Sequence, residues 1–289
     1  MRADSYKIAV TGGDRRQVYL ARILAEKGYE VAVFGLCERV YEERIREAAS
    51  LKEALQEADA AVGPVPFIRS GKIMGTYESP DMNIETFFGA LPENADFFAG
   101  NIPEEAGRYA QGKGIRVYDM MKDELVAARN AVATAEGAIA EAITGSPFNL
   151  TKSRCLVLGY GRCGSVLTRL LKSLFCRVFV SEKDETRAAA AFVLADGIVA
   201  EDELTDALGN VDFIFNTVPE TILSEERLRH IGKNTWILDI ASAPGGVDYR
   251  AAKALSVNAV LLPGLPGRYA PASSAAILAD FIESRVRLR

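Results

Sequence analysis

Three glycines in the middle of the chain have the spacing of a turn that binds phosphate groups. Gly159, Gly161 and Gly164 follow the apolar run 155–158 and open a stretch typical of a helix. In such a turn the first glycine allows a tight bend, and the second lets a pyrophosphate approach the backbone. The third lets the helix pack closely on the strand. The spacing alone is not specific, but with a strand before it and a helix after it, it predicts a dinucleotide site.

An acidic and a basic residue stand side by side about twenty residues beyond this turn. They are Glu182 and Lys183, which follow the apolar run 178–180. An acid at this place accepts the ribose hydroxyls of NAD, whereas a base accommodates the 2′-phosphate of NADP. With one of each, the choice between NAD and NADP stays open. Both residues could also be solvated charges of a loop.

Two later apolar runs, 213–215 and 236–238, end in residues that stop a strand or carry polar groups. Because the carboxyl ends of parallel strands meet at one edge of a sheet, these segments are expected to converge on the same ligand. Each could by itself be simple turn chemistry. The residues expected to contact the cofactor are Gly159, Tyr160, Gly161, Arg162, Cys163, Gly164, Glu182, Lys183, Asn216, Thr217, Val218, Pro219, Asp239, Ala241 and Ser242.

A second glycine turn, Gly12-Gly13, lies near the start of the chain and is followed by Asp14 and Arg16. An arginine at a helix start can hold a carboxylate through two parallel hydrogen bonds. The alternative is a surface helix that Asp14 simply caps. In the helical stretch 122–143, Asn130, Thr134 and Gly137 share one face. That face either lines a cleft or lies on hydrated surface.

The apolar runs around these motifs predict an α/β protein of two domains. Short apolar runs alternate with helical stretches in both halves of the 289 residues, which indicates parallel sheets covered on both faces. We expect an N-terminal flavodoxin-like parallel sheet in residues 1–145 and a C-terminal Rossmann dinucleotide-binding domain in 146–271. A final helix, 272–289, is expected to pack back on the first domain. Residues 63–80 are predicted to form a loop.

Composition excludes several classes of function. The net charge is −5 and no segment is strongly basic, which argues against a nucleic-acid partner. No apolar run is long enough to span a membrane, and the short polar start does not resemble a signal peptide. The four cysteines lack metal-ligand spacing, so we expect reduced thiols, a cytoplasmic protein and no metal site. One histidine in the whole chain argues against a dehydrogenase with a His–carboxylate pair.

These motifs together resemble the A-subunit of dipicolinate synthase over nearly the full length of the chain. The blocks after residues 237 and 262 are the most specific, because generic nucleotide domains do not need them. The resemblance is carried by Gly12-Gly13-Asp14-x-Arg16-Gln17, Asn130-x-x-x-Thr134-x-Glu136-Gly137, Gly159-x-Gly161-Arg162-x-Gly164, Asn216-Thr217-x-Pro219, Leu238-Asp239-x-Ala241-Ser242-x-Pro244-Gly245-Gly246-x-Asp248 and Pro263-Gly264-Leu265-Pro266-Gly267-x-x-Ala270-Pro271.

The resemblance implies an enzyme of sporulation that oxidises dihydrodipicolinate, or its hydroxytetrahydro precursor, to dipicolinate. NAD or NADP would accept the hydride, and the flavoprotein-like B-subunit of dipicolinate synthase would be the partner, with a homo-oligomer also compatible. The family leans towards NADP, with Lys183 in the place of a phosphate-binding arginine, whereas Glu182 and Cys163 depart from its pattern.

A substrate with two carboxylates calls for cationic, hydroxyl or amide donors. Arg16 is the first candidate, and Asn130 with Thr134 is the second. Glu136 is a candidate general acid should a hydroxyl have to leave as water, with Asp239 as its alternative. Two other functions stay open: another two-domain NAD(P) dehydrogenase of the 2-hydroxy acid or shikimate type, and a non-catalytic subunit that senses NAD(P).

Overall fold

The structure is a computed structural model that describes residues 6–286. The chain divides into two compact units, one of residues 6–130 with 270–286 and one of residues 131–269. The sequence prediction places the boundary at residue 145, whereas the units change between Asn130 and Ala131, inside a long helix. The parts of the predicted domains at residues 1–5 and 287–289 lie outside the described residues.

The first unit is built on a six-stranded parallel sheet with the order β3-β2-β1-β4-β7-β8. Counted along the chain this is the Rossmann order 3-2-1-4-5-6; without the three-residue edge strand β3, the remaining five strands have the predicted flavodoxin-like order 2-1-3-4-5. Two further strands, β5 and β6, pair with each other as an antiparallel hairpin. The strands are β1 (Lys7–Thr11), β2 (Glu30–Phe34), β3 (Ile45–Glu47), β4 (Ala60–Val62), β5 (Ile68–Arg69), β6 (Lys72–Ile73), β7 (Asp96–Ala99) and β8 (Arg116–Asp119).

The hairpin corrects the prediction of a plain loop over residues 63–80. Its two strands turn at Ser70 and Gly71, both with positive φ. The dipeptide Ser-Gly is a turn signal, so the sequence contained the information. Strands of two residues each are too short to show an apolar period, which is why the pattern did not predict them.

Helices cover both faces of the first sheet, so its central strands are continuous apolar runs with no exposed side. The last helix of the chain, α12, packs on α1, and both contribute to one apolar cluster with β1 and β2. The helices of this unit are α1 (Arg15–Glu26), α2 (Leu51–Leu55), α3 (Ile84–Ala90), α4 (Glu104–Gly112) and α12 (Pro271–Val286). Helix α5 (Glu124–Gly145) begins in this unit and ends in the next.

The second unit contains a six-stranded parallel sheet of the Rossmann order, β11-β10-β9-β12-β13-β14. The apolar runs named above predicted β9, β10, β12 and β13, and a further run over 258–262 predicts β14; β11 has only two residues and was not predicted. The strands are β9 (Arg154–Leu158), β10 (Arg177–Ser181), β11 (Gly197–Ile198), β12 (Phe213–Asn216), β13 (Trp236–Asp239) and β14 (Asn258–Leu261). The helices are α6 (Arg162–Ser173), α7 (Glu185–Phe192), α8 (Leu204–Ala207), α9 (Glu225–Leu228), α10 (Tyr249–Ala254) and α11 (Leu265–Tyr269).

The register of the second sheet places four strand ends in one row. Leu158 pairs with Ser181 on one side and with Asn216 on the other, and Asn216 pairs with Asp239. The segments that follow these residues therefore start side by side at the carboxyl edge, where ligands of α/β sheets bind. Within residues 6–286, no helix is long and apolar enough to cross a membrane.

Candidate functional site

The glycine turn of the second unit joins β9 to α6, and its three glycines have different surroundings. Gly159 has φ +87°, a backbone conformation that other residues rarely adopt. A Cβ on Gly164 would overlap the carbonyl oxygen of Gly159, so only glycine lets α6 lie this close to the strand. A Cβ on Gly161 would meet no heavy atom within 4 Å. The turn is thus closed at its two ends and open at its centre.

Helix α6 begins at this open point without a capping side chain. Its N-cap is Gly161, which has no side chain to accept the N–H groups of the first turn. Those groups have no intrahelical acceptor either, and they carry the partial positive charge of the helix start. Backbone donors facing open space beside a glycine form a cradle for an anion.

A cavity of about 510 Å³ lies at this turn. Its walls come from the turn, the end of β10, the start of α7 and the segment after β12. Seven of its lining residues were expected from the sequence: Gly159, Gly161, Glu182, Lys183, Thr217, Val218 and Pro219. Six others were not predicted: Ser181, Asp184, Arg187, Glu201, Glu220 and Ile222. Arg187 lies one turn into α7 and Glu201 follows the unpredicted β11, so neither stands at a strand end that the pattern marked.

The carboxylate of Glu182 is held in place at this cavity by backbone hydrogen bonds. Its Oε2 accepts a hydrogen bond from the backbone N–H of Tyr160 (2.7 Å) and its Oε1 accepts one from Asp184 N–H (3.0 Å). Burial raises the pKa of this carboxyl, but the backbone N–H groups of Asp184, Tyr160 and Lys183 and the nearby guanidinium of Arg187 more than offset that effect, so the pKa lies below its usual value. Glu182 is therefore an ionised acceptor at neutral pH.

Thr217 fixes the glycine turn from the side of β12. Its hydroxyl donates to the carbonyl oxygen of Leu158 (2.9 Å), the last residue of β9. The neighbouring Asn216 is fully buried, and its amide donates to Val218 O (2.9 Å) and to Asp239 Oδ1 (2.8 Å). Thr217 and Val218 line the cavity, whereas Asn216 lies beneath them and holds their backbone in place.

Asp239 is a buried structural acceptor at the end of β13. It has no exposed surface, and its two oxygens accept four hydrogen bonds, from Asn216 Nδ2, Ala241 N–H, Gly246 N–H and the hydroxyl of Tyr249. The sequence pattern predicted a cofactor contact or a general acid at this position. In the structure these four bonds hold the loop after β13 against the end of the sheet. Ala241, in the same loop, is buried, whereas Ser242 is exposed.

Within the second unit, a threonine of helix α5 contacts the first turn of α6. Thr134 forms a side-chain hydrogen bond with Cys163. Burial raises the pKa of the Cys163 thiol, so the thiol stays protonated at neutral pH. Nearby, Gly137 lies against Leu265 and Tyr269, where a Cβ would stand about 3 Å from both side chains. Gly137 thus allows close packing of α5 with α11 and does not face a cleft.

The corresponding turn of the first unit is closed. The N–H of Gly13 donates to Met74 O (2.7 Å), and Gly13 pairs with Gly75, so the segment after the hairpin lies over the turn. A Cβ on Gly12 would stand 2.7 Å from Met74 O. Helix α1 has a side-chain cap as well, because Asp14 accepts the backbone N–H of Arg16 (3.0 Å).

Arg16 is buried and already bound. Its Nε and Nη2 donate to the carboxylate of Asp14 (2.9 and 2.8 Å), and Nη2 also donates to Val65 O (2.6 Å). The two parallel bonds that were predicted for a substrate carboxylate are thus made to Asp14. Although burial raises it, the guanidinium holds the pKa of Asp14 below its ordinary value.

The other catalytic candidates lie on α5. Asn130 belongs to the first unit and is half-buried, whereas Thr134 and Glu136 belong to the second, with Glu136 exposed.

A cavity of about 520 Å³ in the first unit lies at the opposite edge of its sheet. Lys7 and Glu30, the first residues of β1 and β2, line it together with Arg44 and Glu57. Ligands of α/β sheets bind at the carboxyl edge, so this amino-edge cavity is not our candidate.

Comparison with known proteins finds similarity to the dipicolinate synthase A-subunit in both sequence and structure. Residues 7–121 match the model of the N-terminal domain of the dipicolinate synthase A-subunit. The A-subunit of dipicolinate synthase from Bacillus subtilis (strain 168) is 28% identical over 282 residues, which cover 96% of this chain and 94% of that protein. Crystal structures of this A-subunit from Bacillus halodurans (24% identity, TM-score 0.90, 98% of each chain) and Bacillus subtilis (26%, 0.85, 98% of this chain and 96% of that chain) are similar along nearly the whole chain.

Two dehydrogenase-type structures share the fold at lower similarity. A transhydrogenase from Sinorhizobium meliloti has a TM-score of 0.72 at 17% identity and covers 97% of this chain and 95% of that one. D-lactate dehydrogenase from Escherichia coli has a TM-score of 0.67 at 16% identity and covers 98% and 96%. At these identities the likeness shows the fold alone. The resemblance seen in the sequence is therefore confirmed: this chain is similar to the dipicolinate synthase A-subunit over nearly its full length, and it has the same fold of two parallel-sheet α/β units.

Proposed function

We propose that this chain oxidises dihydrodipicolinate to dipicolinate with a nicotinamide dinucleotide bound by its second unit. The observation that carries the proposal is the glycine turn, where Gly161 faces open space at a cavity of about 510 Å³ and α6 begins without a capping side chain. The relationship to the dipicolinate synthase A-subunit supplies the substrate.

The residues at the cavity fit a dinucleotide. The first N–H groups of α6, at Arg162 and Cys163, would hold the pyrophosphate, because Gly161 leaves room for it at the helix start. Glu182 would accept the hydroxyls of a ribose. Thr217 and Val218 line the same cavity from the neighbouring strand end.

The bound nicotinamide would accept a hydride from the dihydropyridine ring. The ring also loses a proton and becomes aromatic, which provides driving force, so the protein mainly has to position the substrate. Two carboxylates need donors. Because the guanidinium of Arg16 is bound to Asp14 and Val65 O, we infer that Arg16 positions the segment at Val65. Asn130 and Thr134 stay the second candidates for substrate contacts, and Glu136 is the candidate proton donor for a hydroxylated substrate.

The family also suggests the setting of the reaction. We propose that the chain acts in the cytoplasm during sporulation, together with the flavoprotein-like B-subunit of dipicolinate synthase.

The test is to mix the purified chain with dihydrodipicolinate and either NAD or NADP, with and without the B-subunit, and to follow the near-ultraviolet absorbance of reduced nicotinamide. We expect turnover with at least one nucleotide. Gly161→Val is the matched control, because nothing stands within 4 Å of its new Cβ and yet the side chain fills the space for the pyrophosphate. It should fold normally and show no turnover.

Two results would contradict the proposal. Turnover of a 2-hydroxy acid but not of dihydrodipicolinate would indicate a different dehydrogenase. Nucleotide binding without turnover, in the presence and in the absence of the B-subunit, would indicate a protein that senses the nucleotide.

A further inference from the structure

We propose that Glu182 makes this chain select NAD over NADP, an inference that rests on the function proposed above. The family resemblance leans the other way, because Lys183 stands where a phosphate-binding base is expected. The geometry of the Glu182 carboxylate is what decides between the two neighbours.

The carboxylate cannot turn away from the cavity without losing its backbone partners. Tyr160 N–H, in the glycine turn, binds one oxygen, and Asp184 N–H, at the start of α7, binds the other. The side chain is only 9% exposed, so water could not easily replace those partners if it rotated. A 2′-phosphate would therefore meet a fixed negative charge.

The same carboxylate still has accepting capacity. An ionised carboxylate can accept about four hydrogen bonds, and in the described part of the chain, besides the N–H groups of Tyr160 and Asp184, only the backbone N–H of Lys183 adds a further hydrogen bond to Glu182. A ribose with free hydroxyls offers a donor to the remaining position. A phosphate ester at the 2′ position offers acceptors and charge, so it replaces an attraction by a repulsion.

The surrounding charges do not compensate. Of the side chains that line the cavity, Glu182, Asp184, Glu201 and Glu220 are acidic, whereas Lys183 and Arg187 are basic. The guanidinium of Arg187 lies 3.7 Å from Glu182 and 3.7 Å from Asp184, and so it already balances those carboxylates. The ionised form of Glu182 is favoured, since its backbone donors hold the pKa of this carboxyl low.

The experiment is calorimetric titration of the full chain with NAD and, separately, with NADP. For the natural sequence we expect NAD to bind at least about tenfold more tightly than NADP, which corresponds to one repulsive contact. Glu182→Ser removes the charge and opens space for Lys183 and Arg187 to meet a phosphate. It should lower the Kd ratio of NADP to NAD by at least about tenfold.

Two further variants separate charge, shape and folding. Glu182→Gln keeps the size of the side chain and an acceptor for Tyr160 N–H, and it should shift the ratio in the same direction. Glu185→Ser removes an equal charge from the first turn of α7, outside the cavity, and should leave the ratio within about twofold. The fluorescence of Trp236, the single tryptophan, checks that each variant is folded.

The outcomes are distinct. If the natural chain binds NADP as tightly as NAD, or if neither Glu182 variant changes the ratio, the selection by Glu182 is wrong while the proposed function stands. If neither nucleotide binds the natural chain, the dinucleotide site itself is wrong, and the selection falls with it.

Discussion

The two units carry a glycine turn at the same place, after the first strand of a parallel sheet with the same strand order, but the two turns end differently. In the second unit Gly161 faces open space, and α6 begins without a side-chain cap. In the first unit Met74 and Gly75 cover the turn, and Asp14 caps α1 and binds Arg16.

Whether a helix start can bind a ligand therefore depends on whether a side chain already accepts hydrogen bonds from its first N–H groups. Asp14 supplies both the acceptor and the negative charge that a phosphate would otherwise bring. Gly161 supplies neither, so the start of α6 has no side-chain cap and its partial positive charge can attract an anion. The same topology thus yields a closed structural turn in one unit and an open cradle in the other.

The largest expected effect comes from the third glycine of the open turn. In Gly164→Ala the new Cβ overlaps the carbonyl of Gly159, and backbone must move on both sides. We expect the second unit to lose more than about 4 kcal/mol of unfolding free energy. Denaturation followed by Trp236 fluorescence measures it. Gly161→Ala, three residues earlier and without a neighbour within 4 Å, should change stability by less than about 0.5 kcal/mol. Equal losses in the two variants would contradict the assignment of open centre and closed end.

The closed turn should depend on its ion pair. Asp14→Ala leaves Arg16 buried without its carboxylate and α1 without its cap, which we expect to lower unfolding free energy by about 3 kcal/mol. Glu38→Ala is the matched control, because it breaks the exposed pair of the adjacent Arg15 and should cost less than about 1 kcal/mol. Thermal unfolding followed by circular dichroism measures both, and similar losses would show that burial of the pair does not matter.

The same pair should make stability pH-dependent. Because the folded pKa of Asp14 is lowered, its contribution is complete above the ordinary pKa of an aspartate, about 3.9, and is lost as pH falls through the folded value. The natural chain and Asp14→Ala should therefore converge in stability at strongly acidic pH.

The smallest expected effect on stability comes from a substitution that gives the open turn the side-chain cap of the closed one. Gly161→Asp places a capping carboxylate at the start of α6, as Asp14 does in α1, and should change unfolding free energy by only a few tenths of a kcal/mol. It should weaken dinucleotide binding by roughly 100-fold or more, since it fills the cradle and adds a like charge. Gly161→Asn caps without charge and shows by comparison what the charge alone contributes. Calorimetric titration measures both, and unchanged affinity in Gly161→Asp would place the pyrophosphate elsewhere.

Much of this arrangement followed from local sequence signals. The strands of the second unit and the fold of both units were predicted because buried parallel strands are continuous apolar runs separated by glycine turns. The short β3, β5, β6 and β11 were not, since two or three residues carry no period. Glu182 was found by its distance from the turn, whereas Arg187 and Glu201 reach the cavity from elements that no motif marks.

The sequence by itself determined the two parallel sheets, the glycine turn and the place of Glu182, because each is fixed by the order and spacing of a few residues. The hydrogen-bond partner of each polar side chain, in contrast, follows from the tertiary structure. The fold buried Asp239 among four donors, gave the guanidinium of Arg16 to Asp14, and held Glu182 between two backbone N–H groups. A polar side chain binds whichever partner the fold brings within hydrogen-bond distance: Glu182 binds the N–H of Tyr160, 22 residues before it, and Arg16 binds the carbonyl of Val65, 49 residues away, as well as the neighbouring Asp14.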